Sequence, residues 1–174
     1  MSLKHIITPP NPVLRKKAIK VMDFGANFQT LVDDMIETLL DAPGIGLAAP
    51  QVEVSQRLII VRMPDTTEED RKEYGKHAGV IYSIANPKII KASRELVTGV
   101  EGCLSLPNLL GEVERYKSVV VTGQDRHGKD FRIKADGWFA RVFQHEIDHL
   151  DGILYTDRTD DVWKPEKASE KAKD

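Results

Sequence analysis

Residues 145–149 read His-Glu-Ile-Asp-His, an H-E-x-x-H pentad. On a helix, residues i and i+4 share one face, so both imidazoles can reach a single metal ion. Glu146 stands next to His145, close enough to handle a proton on a water that such a metal activates. The pentad therefore proposes hydrolysis by activated water. It supplies two protein ligands, whereas a catalytic metal of this type usually has three. Two histidines satisfied by hydrogen bonds inside a core would leave the same five letters.

Three arrangements compete for the third ligand. A histidine six positions beyond the second would give H-E-x-x-H-x-x-G-x-x-H; Gly152 matches its glycine, but the final position is Tyr155. A carboxylate further on could complete a two-His, one-carboxylate site, and Asp157, Asp160, Asp161 and Glu166 are available in a charged tail. Cys103, the single cysteine, is the third candidate; it lies in Glu101-Gly102-Cys103-Leu104-Ser105. Gly102 permits a sharp change of backbone direction, and a thiolate is a strong ligand for zinc or ferrous iron. An ordinary buried core cysteine fits the same residues.

A further segment, Gly44-Ile45-Gly46-Leu47-Ala48-Ala49-Pro50-Gln51, superficially matches the G-x-G-x-x-G/A fingerprint of dinucleotide sites. That fingerprint needs a strand before it and a helix after it. Here a helical pattern precedes and Pro50 follows, so a nucleotide is excluded. The small residues instead describe an extended segment that another chain can approach closely. Gln51 ends it with a side chain able to donate a hydrogen bond.

Helices and strands must carry these residues. Phe28, Leu31, Val32, Met35, Ile36, Leu39 and Leu40 recur at helical spacing, predicting a helix over 26–41. A second helix is expected over 137–150, with Phe139, Val142, His145, Glu146 and His149 on one stripe and Arg141, Gln144, Asp148 and Asp151 towards other faces. Leu58 to Val61 reads as a buried strand. Further strands are expected over 81–90, 95–100, 113–122 and 130–133, with a tight turn at 126–129 joining the last two. Residues 65–76 read as a solvated excursion. The order predicts an α+β fold, mainly antiparallel, packed around the pentad helix. A catalytic domain over 1–156 and a charged tail over 157–174, outside the core, are expected.

The 174 residues fit one domain with room for a real core. Basic and acidic residues, 25 against 27, nearly cancel, and no basic block interleaved with aromatics suggests a nucleic-acid surface. No signal peptide or membrane-spanning run is evident, so a soluble, cytoplasmic protein without membrane partners is expected.

GIGLAAPQ, EGCLS and QHEIDHLDG, in that order, resemble the three signature motifs of the peptide deformylase family, and PNPVLRKKA near the N-terminus is similar to it as well. The resemblance implies hydrolytic removal of the formyl group from the formyl-methionine of nascent polypeptides, releasing formate. It implies that Cys103, His145 and His149 bind a divalent metal, ferrous iron being expected and zinc or nickel also fitting. Glu146 would be general base and then acid. Gln51 and the backbone N–H of Leu104 would hold the oxyanion. Ile45 and Gly46 could pair with an extended peptide, and Val142 and Ile45 are candidate walls for the methionine side chain. Nascent chains on the ribosome would be the partners. Glu101 and Arg115 could pair to hold the cysteine loop, as an exposed pair of small worth.

Glu53 departs from the family pattern by standing where many relatives have glycine, which questions the turn there. The rivals are a zinc endopeptidase completing its site from the tail and a non-catalytic module with a structural metal.

Overall fold

Leu58-Ile59-Ile60-Val61 lacks a polar face because both faces of its strand are covered. In the computed structural model, which describes residues 2–165, it lies in β2 (Leu58–Arg62) and is fully buried. Leu58 and Ile60 pack with Phe28, Leu31, Val32, Met35 and Leu39 of α1 (Ala26–Asp41). Ile59 and Val61 pack on the opposite side with Phe139, Phe143 and Ile147 of α3 (Gly137–Leu150). A strand buried on both faces reads as a continuous apolar run for this reason.

Among the described residues, β2 belongs to a five-stranded antiparallel sheet with β1 (Gly46–Ala48), β3 (Ile81–Ala92), β6 (Ser118–Gln124) and β7 (Asp130–Asp136), in the order β1-β2-β3-β6-β7. A three-stranded antiparallel sheet, β4-β5-β8, is formed by Leu96–Cys103, Leu106–Tyr116 and Val162–Trp163. The α+β class and the antiparallel pairing are as the sequence predicts, as are both long helices. The turn at 126–129 joins β6 to β7, with Gly128 at φ 78°.

α3 meets both sheets, and this alters the reading of its faces. Its apolar side covers the larger sheet. Its polar side is bonded to the smaller one: Gln144 accepts from the Tyr116 N–H (3.0 Å) and donates to the Tyr116 carbonyl (2.9 Å). Arg141, Gln144 and Asp148, placed on other faces by periodicity, are therefore buried as well; Asp151 is exposed.

Three expectations change. The strand expected over 113–122 is two strands in different sheets, with Lys117 as the corner: its N–H donates to Glu95 and its carbonyl accepts from Gly137. No glycine or proline marks the corner, so the apolar alternation runs through it unbroken. Residues 65–76 are solvated, but Glu68–Tyr74 form a short exposed helix, α2. The Thr67 hydroxyl accepts from the Asp70 N–H (3.0 Å), and the Asp70 carboxylate accepts from the Thr67 N–H (2.9 Å). The tail is attached as far as it is described. β8 pairs with β5 through Leu110–Trp163 and Gly111–Val162, because the centre of β5 has an open edge there. The remainder of the expected tail, 166–174, lies outside the described residues.

Candidate active site

The last turns of α3 and the end of β4 bring the chemistry together. One ligand atom each from Cys103, His145 and His149 lies within 4.8 Å of the others. Cys103 Sγ is 3.2 Å from His149 Nε2. Cys103 reaches this point because β4 ends in a tight reversal, where the register shifts after Gly102 and Cys103 pairs with Leu106 across Leu104 and Ser105. His145 Nδ1 is 2.8 Å from Glu101 Oε2, which makes that nitrogen the donor and leaves Nε2 as a lone-pair site. Two imidazoles and a thiol this close fit a divalent metal of borderline softness. Glu146 Oε2 and His149 Nδ1 are buried with no hydrogen-bond partner among the described residues. Buried polar groups left this way call for a ligand or solvent.

The glycine-rich segment serves the site directly. A β-carbon at Gly46 would lie 2.2 Å from Glu146 Oε1, so only glycine lets β1 pass the carboxylate. The chain that approaches this backbone is thus, in part, the protein's own helix. Gln51 closes the segment in a short 3-10 turn, Ala49–Val52. Its Oε1 accepts from the Ala48 N–H (2.9 Å), which turns Nε2 towards Ser105 Oγ (3.2 Å) and Cys103 Sγ (3.5 Å).

Behind His145 sits a closed array of charges. Arg115 donates twice to Glu101 (2.9 and 2.9 Å), Arg141 Nη1 donates to the same carboxylate (2.7 Å), and Arg115 Nη1 donates to Asp148. Arg158 donates to both oxygens of Asp148. Glu101 and Arg115 are 3% and 4% exposed. The expectation of an exposed, weak Glu101–Arg115 pair is thus corrected: α3 and the smaller sheet enclose it, and removing one partner would strand a buried charge.

These surroundings set the protonation states. Burial opposes ionisation of Glu101, but hydrogen bonds and charge from Arg115 and His145 outweigh it and hold the carboxyl well below its usual range. Burial also opposes charge on His145, yet bonding to Cys103 and Glu101 raises it to about 10, so a divalent cation would have to displace the proton from Nε2 before that lone pair could bind it. His149 is pushed well below its ordinary value by burial and by the neighbouring His145. Burial raises Glu146 to about 7, where a carboxyl can both take and give a proton near neutral pH.

A cavity of about 770 Å³ opens in front of these groups. Ile45, Gly46, Gln51, Cys103, Leu104, Val142, His145 and Glu146 all line it, so eight of the nine residues singled out from sequence share one wall; His149 lies just behind. Trp138, Arg141, Pro165 and the β5 residues Leu106 to Leu110 line it as well.

Sequence reading missed Ser105, Arg141, Asp148 and Arg158. Signals existed for two of them: Arg141 stands one turn before His145, and Asp148 three residues after it. Nothing local marks Ser105 or Arg158. Glu53 adopts φ 64°, so the turn questioned from sequence forms here on a non-glycine residue that takes the left-handed region at a cost.

An α+β chain with a largely buried Cys-His-His cluster, a carboxylate oxygen without a partner among the described residues and a cavity in front defines a candidate metallohydrolase. The family model for polypeptide deformylase matches residues 3–164. The peptide deformylase of Symbiobacterium thermophilum is 50% identical over 158 residues, covering 91% of this chain and 67% of that protein. That of one Dehalococcoides mccartyi strain is 49% identical over 157 residues, covering 90% and 86%. The crystal structure of the Thermotoga maritima peptide deformylase superposes with a TM-score of 0.81 at 36% identity, covering 91% of this chain and 98% of that one. The Ehrlichia chaffeensis enzyme in complex with actinonin gives 0.83 at 38% identity, covering 91% and 90%.

The chain belongs to the peptide deformylase family. Its function is that of a metal-dependent hydrolase that removes the N-formyl group from newly synthesised polypeptides.

Proposed function

We propose that Cys103, His145 and His149 hold one divalent cation, that Glu146 moves the proton, and that Gln51 Nε2 and the Leu104 N–H stabilise the oxyanion. The observation that carries this reading is the cluster of three ligand atoms within 4.8 Å, beside a carboxylate oxygen that has no partner. A bound cation would supply Lewis-acid activation of water and of the formyl carbonyl.

Glu146 takes a proton from the attacking water as its oxygen bonds to the formyl carbon. Negative charge grows on the formyl oxygen, where the Gln51 amide and the Leu104 N–H donate to it. Glu146 then passes its proton to the peptide nitrogen as the C–N bond breaks, leaving formate and a free amine. The hydrogen bond to the Ala48 N–H fixes Gln51 before substrate arrives, so no reorganisation is needed when the charge develops.

β1 is an edge strand beside the cavity, which supports an extended peptide adding along Ile45 and Gly46. Val142 and Ile45 are proposed to wall the methionine side chain, whose burial would supply about 2–3 kcal/mol. Ferrous iron is the proposed ion, and a thiolate-ligated ferrous centre would be oxygen-sensitive; zinc or nickel also suits this donor set. Nascent chains emerge at ribosomes, so a cytoplasmic protein acting close to the ribosome is part of the same reading. The test is formate release from formyl-Met-Ala-Ser by protein loaded with ferrous iron without oxygen. Turnover is expected with about one metal per chain; a metal-free, inactive protein would refute the assignment.

A further inference from the structure

The segment after α3 touches His145 by two routes. Tyr155, 1% exposed, stacks its ring on the His145 imidazole with centroids 6.0 Å apart and planes at 24°. On its other side the ring presses on β5: a β-carbon at Gly111 would be 2.8 Å from it. Three residues on, Arg158 grips both oxygens of Asp148, Asp148 accepts from Arg115, Arg115 donates twice to Glu101, and Glu101 ends the chain on His145 Nδ1. The segment is held in turn by β8 and by the Glu112 N–H donating to the Asp161 carbonyl (3.0 Å), and Pro165 at its end lines the cavity.

Arg115 is shared between two carboxylates. With Arg158 in place, Asp148 has its own cation, and Arg115 can keep two of its three hydrogen bonds on Glu101. Without Arg158, the Asp148 carboxylate is left to compete for Arg115, and the grip of Arg115 on Glu101, which with Arg141 aims that carboxylate at the imidazole, weakens. Partners that orient a metal-ligating histidine in this way tune affinity for the metal.

We propose that the strap from Tyr155 to Pro165 is a working part of the metal site, with Tyr155 and Arg158 as positioning residues for His145. The inference rests on the reading of Cys103, His145 and His149 as ligands. Arg158 acts through Asp148, Arg115 and Glu101; Tyr155 acts by direct packing.

The test is the Zn²⁺ dissociation constant, measured by chelator competition on the full chain. Arg158→Met should weaken Zn²⁺ binding about tenfold, the lower end of the range for such partners, and Arg158→Lys should recover part of that loss. In an Asp148→Asn background, Arg158→Met should change the constant by less than about twofold, because the route is already cut. Arg71→Met, which breaks an exposed pair with Asp65 on α2, should leave it unchanged. A constant within twofold of wild type for Arg158→Met, or an undiminished loss in the Asp148→Asn background, would overturn the proposal. Wild-type protein that binds no Zn²⁺ would overturn the ligand assignment and the strap together. Wild-type protein that binds Zn²⁺ but, loaded with ferrous iron without oxygen, releases no formate would refute the catalytic roles proposed above and leave the strap standing.

Discussion

His145 divides two largely buried regions, the inner one closed at its outer end by the exposed Arg158, that differ in how their polar groups are met. On the inner side, Glu101, Arg115, Arg141, Asp148 and Arg158 form a closed set of charge-assisted hydrogen bonds. On the cavity side, Glu146 Oε2 has no partner among the described residues, and Gln51 Nε2 has only two long contacts, to Ser105 and Cys103. A satisfied array cannot accept a new ligand without losing something it already has, so its work is to hold geometry. A buried oxygen without a partner, such as Glu146 Oε2, has a hydrogen bond to gain when a ligand arrives.

The comparison can be broken by substitutions on either side. The largest effect is expected in front: Gln51→Ala should lower kcat/KM by roughly 10²–10³, about 3–4 kcal/mol of transition-state stabilisation, with metal content unchanged. Steady-state formate release together with elemental analysis checks both halves of that statement. On the inner side, Glu101→Gln should act through the metal, weakening its affinity about 10–100-fold; excess metal should then restore much of the lost turnover. If excess metal restores nothing, Glu101 is doing more than orienting His145. The smallest effect is expected far from both. Glu53→Gly should relieve a left-handed residue by about 1 kcal/mol, offset in part by losing the Asn11–Glu53 hydrogen bond (3.1 Å). Thermal unfolding should show a slight gain or no change, with activity untouched.

The two regions also differ in how far they can be read from sequence. The cavity-side residues sit in short segments with unusual composition, GIGLAAPQ, EGCLS and HEIDH; the spacing of HEIDH alone points to metal chemistry, and the roles in the other two follow from the family resemblance. α1 and α3 follow from periodicity at both ends, because each buries an apolar stripe against one face of the same sheet. The inner side is nearly silent. Arg115, Arg141 and Asp148 are charged, and hydropathy assigns charges to solvent; their charged partners lie 10 to 40 positions away along the chain. The corner at Lys117 is hidden for a related reason, since both strands it joins need the same alternation. β8 is too short, at two residues, to carry a pattern at all.

In the proposed mechanism the Glu146 carboxylate moves the proton while Cys103, His145 and His149 hold the metal. Glu146→Gln keeps the side chain's size and removes only its capacity to act as a base. Metal content and formate release from formyl-Met-Ala-Ser, measured side by side on wild-type and Glu146→Gln protein loaded with ferrous iron without oxygen, decide it. The prediction is about one metal per chain in both and a loss of turnover on the order of 10²–10⁴-fold in the variant. Full metal with turnover within a few-fold of wild type would contradict it.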